Sequence, residues 1–330
     1  MEAMIEVDGS TMEGGGQILR TAVSLSAVTR TPVLVHSIRA KRNPSGLRPQ
    51  HLAAIRAAAE LCSARLEGAA IGSDRIVFEP GDTVGGRYEF DVGTAGSVTL
   101  VLQTLLPIML HSGGEYTVRV RGGTNVMNSP SVDYFEHVFL YHLTAFGARC
   151  VFRVIRRGFY PSGGGEVELS VQPSILGEVN LTERGEQVHS FAVSGASRNL
   201  QPARVAERQL LHIDVAEKRV EYVDSPSTGS YVFVAKVYSK TRHGCDAVGK
   251  RGVRAEEVGK SAWECLTRQR GVLDEFMGDQ IVPYVALFGG RAVIKATTHS
   301  ETNLHVCSLF QVHRITVSEL GGGELLIEAR

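Results

Sequence analysis

The chain has 330 residues and a mass of 35.7 kDa; 43% of the residues are hydrophobic and 21% charged, which excludes a disordered, collagen-like or coiled-coil protein. Its length suggests two domains, or one large core with an insertion. With 35 basic and 35 acidic residues the formal net charge is zero, which argues against a protein that coats nucleic acid nonspecifically.

No apolar run approaches the roughly 18 residues that a membrane span needs, and the opening MEAMIEVDGS has no basic-then-apolar signal pattern. The expectation is a cytoplasmic protein with no membrane partner. Five cysteines, widely spaced and without a CxxC pair, indicate neither a disulfide framework nor a zinc site, so buried reduced thiols are expected. Charge is locally uneven. Between Gly14 and Ala59 there is no acidic residue, yet Arg20, Arg30, Arg39, Lys41, Arg42, Arg48 and Arg56 fall inside. A second acid-free stretch, His137 to Gly165, holds Arg149, Arg153, Arg156 and Arg157. Two such zones in a neutral chain suit a phosphate-bearing ligand.

In chain order, Ile5–Asp8 reads as a strand, followed by a glycine turn and a helix-like apolar stretch from Ile18 to Val28. Val33–Ile38 reads as a second strand and Pro49–Leu66 as a second helix; Arg75–Pro80 closes the unit as a strand. The pattern then starts again. Tyr88–Asp91, a glycine turn, an apolar helix from Val98 to Leu110, a strand at Tyr116–Val120, a helix from Ser131 to Ala148 and a strand at Glu166–Pro173 follow in the same order. A third, partial copy returns at the C-terminus, where Gly321–Ile327 echoes Gly163–Leu169. Three β-α-β-α-β-β-like units of roughly 80 residues are expected, an α+β layering with helices on one face of each small sheet. Between about Leu176 and Asp274 the repeat signature is lost, while a strand at Tyr231–Tyr238 and a helix at Ala255–Arg270 appear. The division expected is a large repeat-built domain, 1–177 and 275–330, with a small α/β domain inserted at 178–274.

Several short stretches carry chemistry. Glu13-Gly-Gly-Gly-Gln-Ile-Leu-Arg20 puts three glycines at the mouth of a helix, where bare backbone amides and Arg20 form an anion site or simply a tight turn. Glu13 would repel a phosphate unless a divalent cation bridges the two. Arg39, Arg42, Arg48, Gln50 and His51 surround the turn Asn43-Pro-Ser-Gly46, either as phosphate contacts or as a solvated basic loop. Gln103 interrupts an apolar helix, and Pro130 ends the loop that begins at Asn125. Phe276-Met277-Gly278-Asp279-Gln280 gathers an aromatic, an acid and an amide, the types that line a base or ribose site, although the spacing alone does not show one. His299, in Lys295-Ala-Thr-Thr-His-Ser-Glu-Thr-Asn303, stands at a strand-to-helix transition among hydroxyl and amide neighbours, either as a nucleophile or base or as a structural histidine.

Taken together these stretches resemble the RNA 3′-terminal phosphate cyclase family, in its histidine-containing branch. The most specific match is Arg157-Gly-Phe-Tyr-Pro-Ser-Gly-Gly-Gly-Glu-Val167, a basic residue and glycine, then proline, one residue and three glycines. Glu13–Arg20, Arg48–His51, Gly249–Gly259, Asp279-Gln280 and His299-x-x-Thr-Asn agree in order and spacing, so the resemblance spans essentially the whole chain.

The resemblance implies units similar to the C-terminal fold of translation initiation factor 3 and an insert of thioredoxin-like layout. It also implies a ligase-class reaction: ATP adenylates a histidine, AMP passes to an RNA 3′-phosphate, and the 2′-hydroxyl closes a 2′,3′-cyclic phosphate. On this reading His299 is the adenylated residue. Gln103, Pro130, Phe276, Met277, Gly278, Asp279 and Gln280 hold ATP. Arg20, Arg39, Arg42, Gln50 and His51 surround phosphates, and Glu13 meets a divalent Mg²⁺ or Mn²⁺. The implied partners are ATP and RNA 3′-phosphate ends, with a homodimer left open. The family commonly has His or Tyr, Leu and Ala before the Asp-Gln pair. Phe276-Met277-Gly278 stands there instead, which keeps stacking and loses a side-chain hydrogen bond. The alternative is a noncatalytic RNA-processing or ribosome-assembly factor of the same fold, which would lack the nucleophile.

Overall fold

The computed structural model describes residues 4–330. In the first unit β1 (Ile5–Asp8), α1 (Gly16–Thr29), β2 (Val33–His36), α2 (Pro49–Leu61), β3 (Arg65–Glu67) and β4 (Ile76–Glu79) build a four-stranded sheet in the order β1-β2-β4-β3. β1 and β2 are parallel and the other pairings antiparallel. Alternation sets the faces, with Val33 and Val35 buried and Leu34 and His36 half-buried. The helix expected over 49–66 stops at Leu61. Cys62 leaves helical backbone, and Arg65–Glu67 becomes the edge strand of the sheet.

The second unit repeats the connectivity with β5 (Gly86–Asp91), α3 (Val98–Ser112), β6 (Tyr116–Gly122), the continuous helical run α4 (Val132–Tyr134), π-helical Phe135–Phe139 and α5 (Leu140–Thr144), then β7 (Arg149–Arg156) and β8 (Gly165–Gln172). Its order is β5-β6-β8-β7. β9 (Val179–Leu181) opens the third unit.

The chain then leaves to form a separate sheet from β10 (Gln187–Ser197), β11 (Glu217–Val223), β12 (Ser230–Tyr238) and β13 (Arg242–Val248), in the order β11-β10-β12-β13. Between β10 and β11 lies the short α6 (Val205–Gln209), and after β13 comes α7 (Ala255–Arg268). This segment has its own buried cluster, in which Ala192, Val232, Val234 and Cys245 of the sheet meet Val258, Ala262 and Leu266 of α7. The chain returns as α8 (Glu275–Phe288), β14 (Gly290–Lys295), α9 (Thr298–Phe310), β15 (Ile315–Gly321) and β16 (Glu324–Ala329). The third sheet, β15-β16-β14-β9, has the same pairing pattern as the first two. Val179–Leu181 falls inside the segment 178–274 expected as an insert, yet pairs with β14. The inserted sheet's own strands therefore begin at Gln187.

Cys245 and Cys265 are joined by a disulfide between β13 and α7, contrary to the expectation of reduced thiols. The packing of α7 on β13 brings together cysteines that are too far apart in sequence to suggest a pair. Cys62, Cys150 and Cys307 are free. Among the described residues no helix is long and apolar enough to cross a membrane.

One core runs through all three repeats. α1 packs against α2, α3 and α9, and α8 packs against α9 and α3. The N-terminal ends of α1 and α9 meet Gln103 and Pro107 of α3 and Phe276, Asp279 and Gln280 of α8 around a cleft where the three units converge.

Candidate active site

The cleft is a cavity of about 840 Å³. One end is cationic. Gly15 and Gly16 open α1, and a Cβ on Gly16 would lie 2.2 Å from His51 Nε2, so only glycine lets the helix start this close to the imidazole. Arg20, one turn further on, reaches the cavity with no carboxylate bonded to it among the described residues, and burial lowers its pKa to about 10. Arg42 pairs with Glu13 Oε1; Glu13 Oε2 is buried and has no partner among the described residues. Arg39 holds positive φ and donates to the carbonyls of Pro44 at 2.7 Å and Gly46 at 3.0 Å, so it closes its own loop while still bordering the cavity. Burial lowers its pKa, and Arg48 and Arg42 lower it further.

His51 shows what this crowding does. The imidazole is buried, and burial followed by Arg20, Arg39 and Arg48 pushes its pKa down to about 3. Its Nδ1 accepts from Arg48 N–H at 3.3 Å, so the neutral ring carries its proton on Nε2, beside Gly16. It is an uncharged donor among arginines. Gln50 borders the same end.

His299 lies in the first turn of α9, exposed to the cavity. Its Nδ1 is 2.5 Å from Gln17 Oε1. The Gln17 amide is oriented by its own Nε2, which donates to the His299 carbonyl at 3.5 Å, so the oxygen is the atom that faces the ring. Nδ1 therefore carries the proton and Nε2 keeps its lone pair. The turn is fixed by a capping box: Thr297 Oγ1 accepts from Ser300 N–H at 3.0 Å, and Ser300 Oγ accepts from Thr297 N–H at 2.9 Å. Asn303 ties three helices together. It donates to the Asp279 carbonyl of α8 at 2.7 Å and accepts from Thr21 Oγ1 of α1 at 2.7 Å. Two helix N-termini, those of α1 and α9, thus face one cationic space, which is the electrostatics of a polyanion site.

The opposite end is mixed in character. The carboxamides of Gln103 and Gln280 bond to each other across the cavity, and Gln280 Nε2 donates to the Phe276 carbonyl at 2.8 Å. Pro130 borders this end, and Phe276, 39% exposed, meets Tyr134 edge-on at 6.2 Å. Asp279 accepts from Thr297 Oγ1, and burial, reinforced by Glu275 and Asp274, pushes its pKa up to about 7.

Two of the residues expected to hold nucleotide do not reach the cavity. Met277 is fully buried in the core, and Gly278 faces Ile294, 3.3 Å from where its Cβ would be. Helical spacing is the reason. Phe276, Asp279, Gln280 and Pro283 follow the i, i+3, i+4, i+7 stripe that borders the cavity, and Met277 and Gly278 lie off it.

The second basic zone also lies elsewhere. None of Arg149, Arg153, Arg156 and Arg157 borders this cavity. Arg157 forms a bidentate pair with buried Asp133, reaches Glu221 and stacks 4.4 Å from the Tyr231 ring centroid. Its glycines pack: a Cβ on Gly158 would lie 2.1 Å from Gly165 N, and one on Gly163, where φ is +69°, would lie 2.7 Å from the Thr94 carbonyl. The stretch from Arg157 to Val167 fastens the second unit to the inserted sheet.

Sequence reasoning missed Gln17, Tyr134, Asp246 and Asn303, all of which border the cavity. Gln17 and Asn303 sit inside stretches already singled out, and only the fold shows their roles.

The family model described as RNA 3′-terminal phosphate cyclase matches residues 11–317. Curated relatives bearing that same name are similar along nearly their full lengths. The protein of Staphylothermus marinus is 42% identical, covering 93% of this chain and 92% of that one. That of Pyrococcus furiosus is 42% identical with 93% of each covered, and that of Archaeoglobus fulgidus 43% identical with 93% and 95% covered.

Proposed function

The chain belongs to the RNA 3′-terminal phosphate cyclase family and converts RNA 3′-terminal phosphates to cyclic phosphates with ATP as co-substrate; we propose that the reaction runs through an AMP group carried on His299. The observation that carries the mechanism is the His299 ring itself, with Nδ1–H given to Gln17 and the Nε2 lone pair left for attack at the edge of a cationic cavity.

Nε2 attacks the α-phosphorus of ATP. A nitrogen–phosphorus bond forms, the α–β phosphoanhydride breaks, and pyrophosphate leaves with the electron pair. An oxygen of the RNA 3′-phosphate then displaces the imidazole, which regains its lone pair. The 2′-hydroxyl oxygen attacks the activated 3′-phosphorus, loses its proton and expels AMP. No further protein nucleophile is needed, because an aligned intramolecular hydroxyl carries an effective molarity of about 10⁵ M or more. The protein's part is position and charge. Arg20 and the α1 and α9 N-termini oppose the negative charge on the leaving group, His51 donates Nε2–H, and Phe276 and Pro130 flank the base beside Gln103, Gln280 and Asp279.

Glu13 is the residue that would hold a divalent cation, since its buried, unpartnered Oε2 is an orphan that such an ion satisfies. When bound, Mg²⁺ or Mn²⁺ supplies neutralisation of phosphate charge there.

Three sheets of one connectivity support likeness to the C-terminal fold of translation initiation factor 3, and the β10–β13 sheet with α6 and α7 supports a thioredoxin-like insert. The separate core of that sheet supports a two-domain division. The exposed Val317 and Leu320 of edge strand β15 support a homodimer, testable by light scattering. The composition supports a cytoplasmic location. The noncatalytic alternative lacks support, because His299 is present and oriented.

Incubation with α-labelled ATP followed by denaturing electrophoresis tests the mechanism. Wild type should carry label that acid releases and alkali does not, as a phosphoramidate requires, and His299→Ala should carry none. An alkali-labile, acid-stable adduct would assign the chemistry to a carboxylate or hydroxyl.

A further inference from the structure

The inserted sheet sends one carboxylate into the cavity. Asp246, on β13, borders it on the side of Phe276, Tyr134 and Pro130. Its Oδ2 accepts from Ser131 N–H at 2.9 Å, directly after Pro130, and every protein hydrogen bond to the carboxylate comes from Ser131. No cationic side chain faces it among the described residues, and burial raises its pKa. Asp246 is half-buried, so the carboxylate stands at the cavity wall with no counter-charge and is open to a hydrogen-bond donor that enters the cavity. Its position is also held rigidly, with the adjacent Cys245 joined to Cys265 of α7 and Gly244 N–H donating to Asp274 at 2.9 Å.

The other polar groups at this end discriminate little. A carboxamide such as that of Gln103 can turn either a donor or an acceptor toward a base, whereas an ionised carboxylate only accepts. We propose that Asp246 selects the base of the nucleotide co-substrate, accepting a hydrogen bond from the exocyclic amino group of adenine and disfavouring guanine, whose corresponding group is a carbonyl. The inserted segment would then be the part of the chain that reads which nucleotide is bound. This rests on the proposal that the base lies beside Phe276 and Pro130.

The test compares ATP, GTP and purine riboside triphosphate, which lacks the amino group, with the intact protein. Wild type should favour ATP over each of the other two by about tenfold or more, the worth of one charge-assisted hydrogen bond plus the acceptor otherwise left unpaired. In Asp246→Asn, Ser131 N–H retains the amide oxygen and turns the NH₂ toward the base. The preference for ATP over GTP should then fall by about tenfold, and removal of the amino group should cost little. Equal slowing of all three nucleotides by Asp246→Asn would make Asp246 only an anchor for Ser131 and overturn the proposal. Indifference of wild type to the missing amino group would overturn it without any variant. Equilibrium binding of the same nucleotides reads the preference independently of His299. Loss of the covalent adduct with the binding preference intact would therefore count against the His299 mechanism and leave Asp246 standing. Absence of any nucleotide binding would remove both.

Discussion

Gln17 and His299, 282 residues apart in sequence, meet across the mouth of the cavity with Oε1 and Nδ1 2.5 Å apart. Each lies in the first turn of its helix, so the contact locks the ring to the starts of both α1 and α9. A hydrogen bond of this kind sets the tautomer of an imidazole, and the comparable partner of a metal-bound histidine is worth about 10–100-fold. Gln17→Ala should therefore slow AMP transfer to the enzyme by about that factor while ATP binding changes little. Gln17→Glu should move the acid limb of the pH profile upward, because a carboxylate stabilises the imidazolium. Single-turnover labelling across a pH series checks both, and unchanged rate and profile would reduce Gln17 to packing.

Glu13→Gln removes the charge that would attract a divalent cation and loosens Arg42. Adenylation should slow by about 10²-fold or more, and the residual rate should lose most of its dependence on Mg²⁺ concentration, with a smaller loss in ATP affinity. Rates indistinguishable from wild type across a metal titration would leave Glu13 as a partner of Arg42 only.

His142 should make stability pH-dependent. Its ring is fully buried, donates Nδ1–H to the Val138 carbonyl at 2.8 Å and accepts from Arg242 N–H, and burial pushes its pKa down to about 4. The unfolded histidine titrates near 6.5, so between these values the unfolded state holds more protons. Its contribution is complete above pH about 6.5 and is lost as pH falls toward 4, by up to about 1.4 kcal/mol per unit. The stability gap between wild type and His142→Gln should narrow by that slope when urea unfolding is repeated below pH about 6.5. A gap that is constant with pH would mean that the ring is not buried neutral.

Arg157→Met should destabilise the fold by about 3–5 kcal/mol, because it strands Asp133 as an uncompensated buried charge. Folded enzyme should still accept label from ATP at near wild-type rate, as the pair lies outside the cavity. Urea midpoints and a labelling assay in the cold separate the two effects. A folded variant without labelling would place Arg157 in the chemistry.

Much of this site could be read along the chain, and what could not has an identifiable cause. Glu13, Arg20, Arg42, His51 and His299 stood out because the resemblance implies roles for residues whose local spacing left a structural reading open, and the structure brings them to one cavity. Contacts between units could not be read in that way. Nothing local to Gln17 points to His299, and nothing local to Asp246 points to Ser131. Met277 and Gly278 were grouped with their neighbours because a contiguous string hides the faces of the helix it forms. The basic residues near Arg157 misled for a different reason. Their acidic partners, Asp133 and Glu221, come from outside the acid-free stretch, so a window of sequence shows the charge without its neutralisation. Val179–Leu181 is too short to declare a strand until β14 lies beside it.

The convergence of three like-built units on one cleft divides the labour among copies. The first lines the cavity with Arg20, Arg42 and His51, the second with Gln103 and Pro130, and the third with His299 of α9 and Gln280 of α8. No copy lines the whole cavity, so a chain of one or two units would present only part of it however well it folded. The copies have also ceased to be interchangeable. Replacing the second unit with a duplicate of the first would keep the architecture recognisable and leave His299 facing a cavity without Gln103 and Pro130.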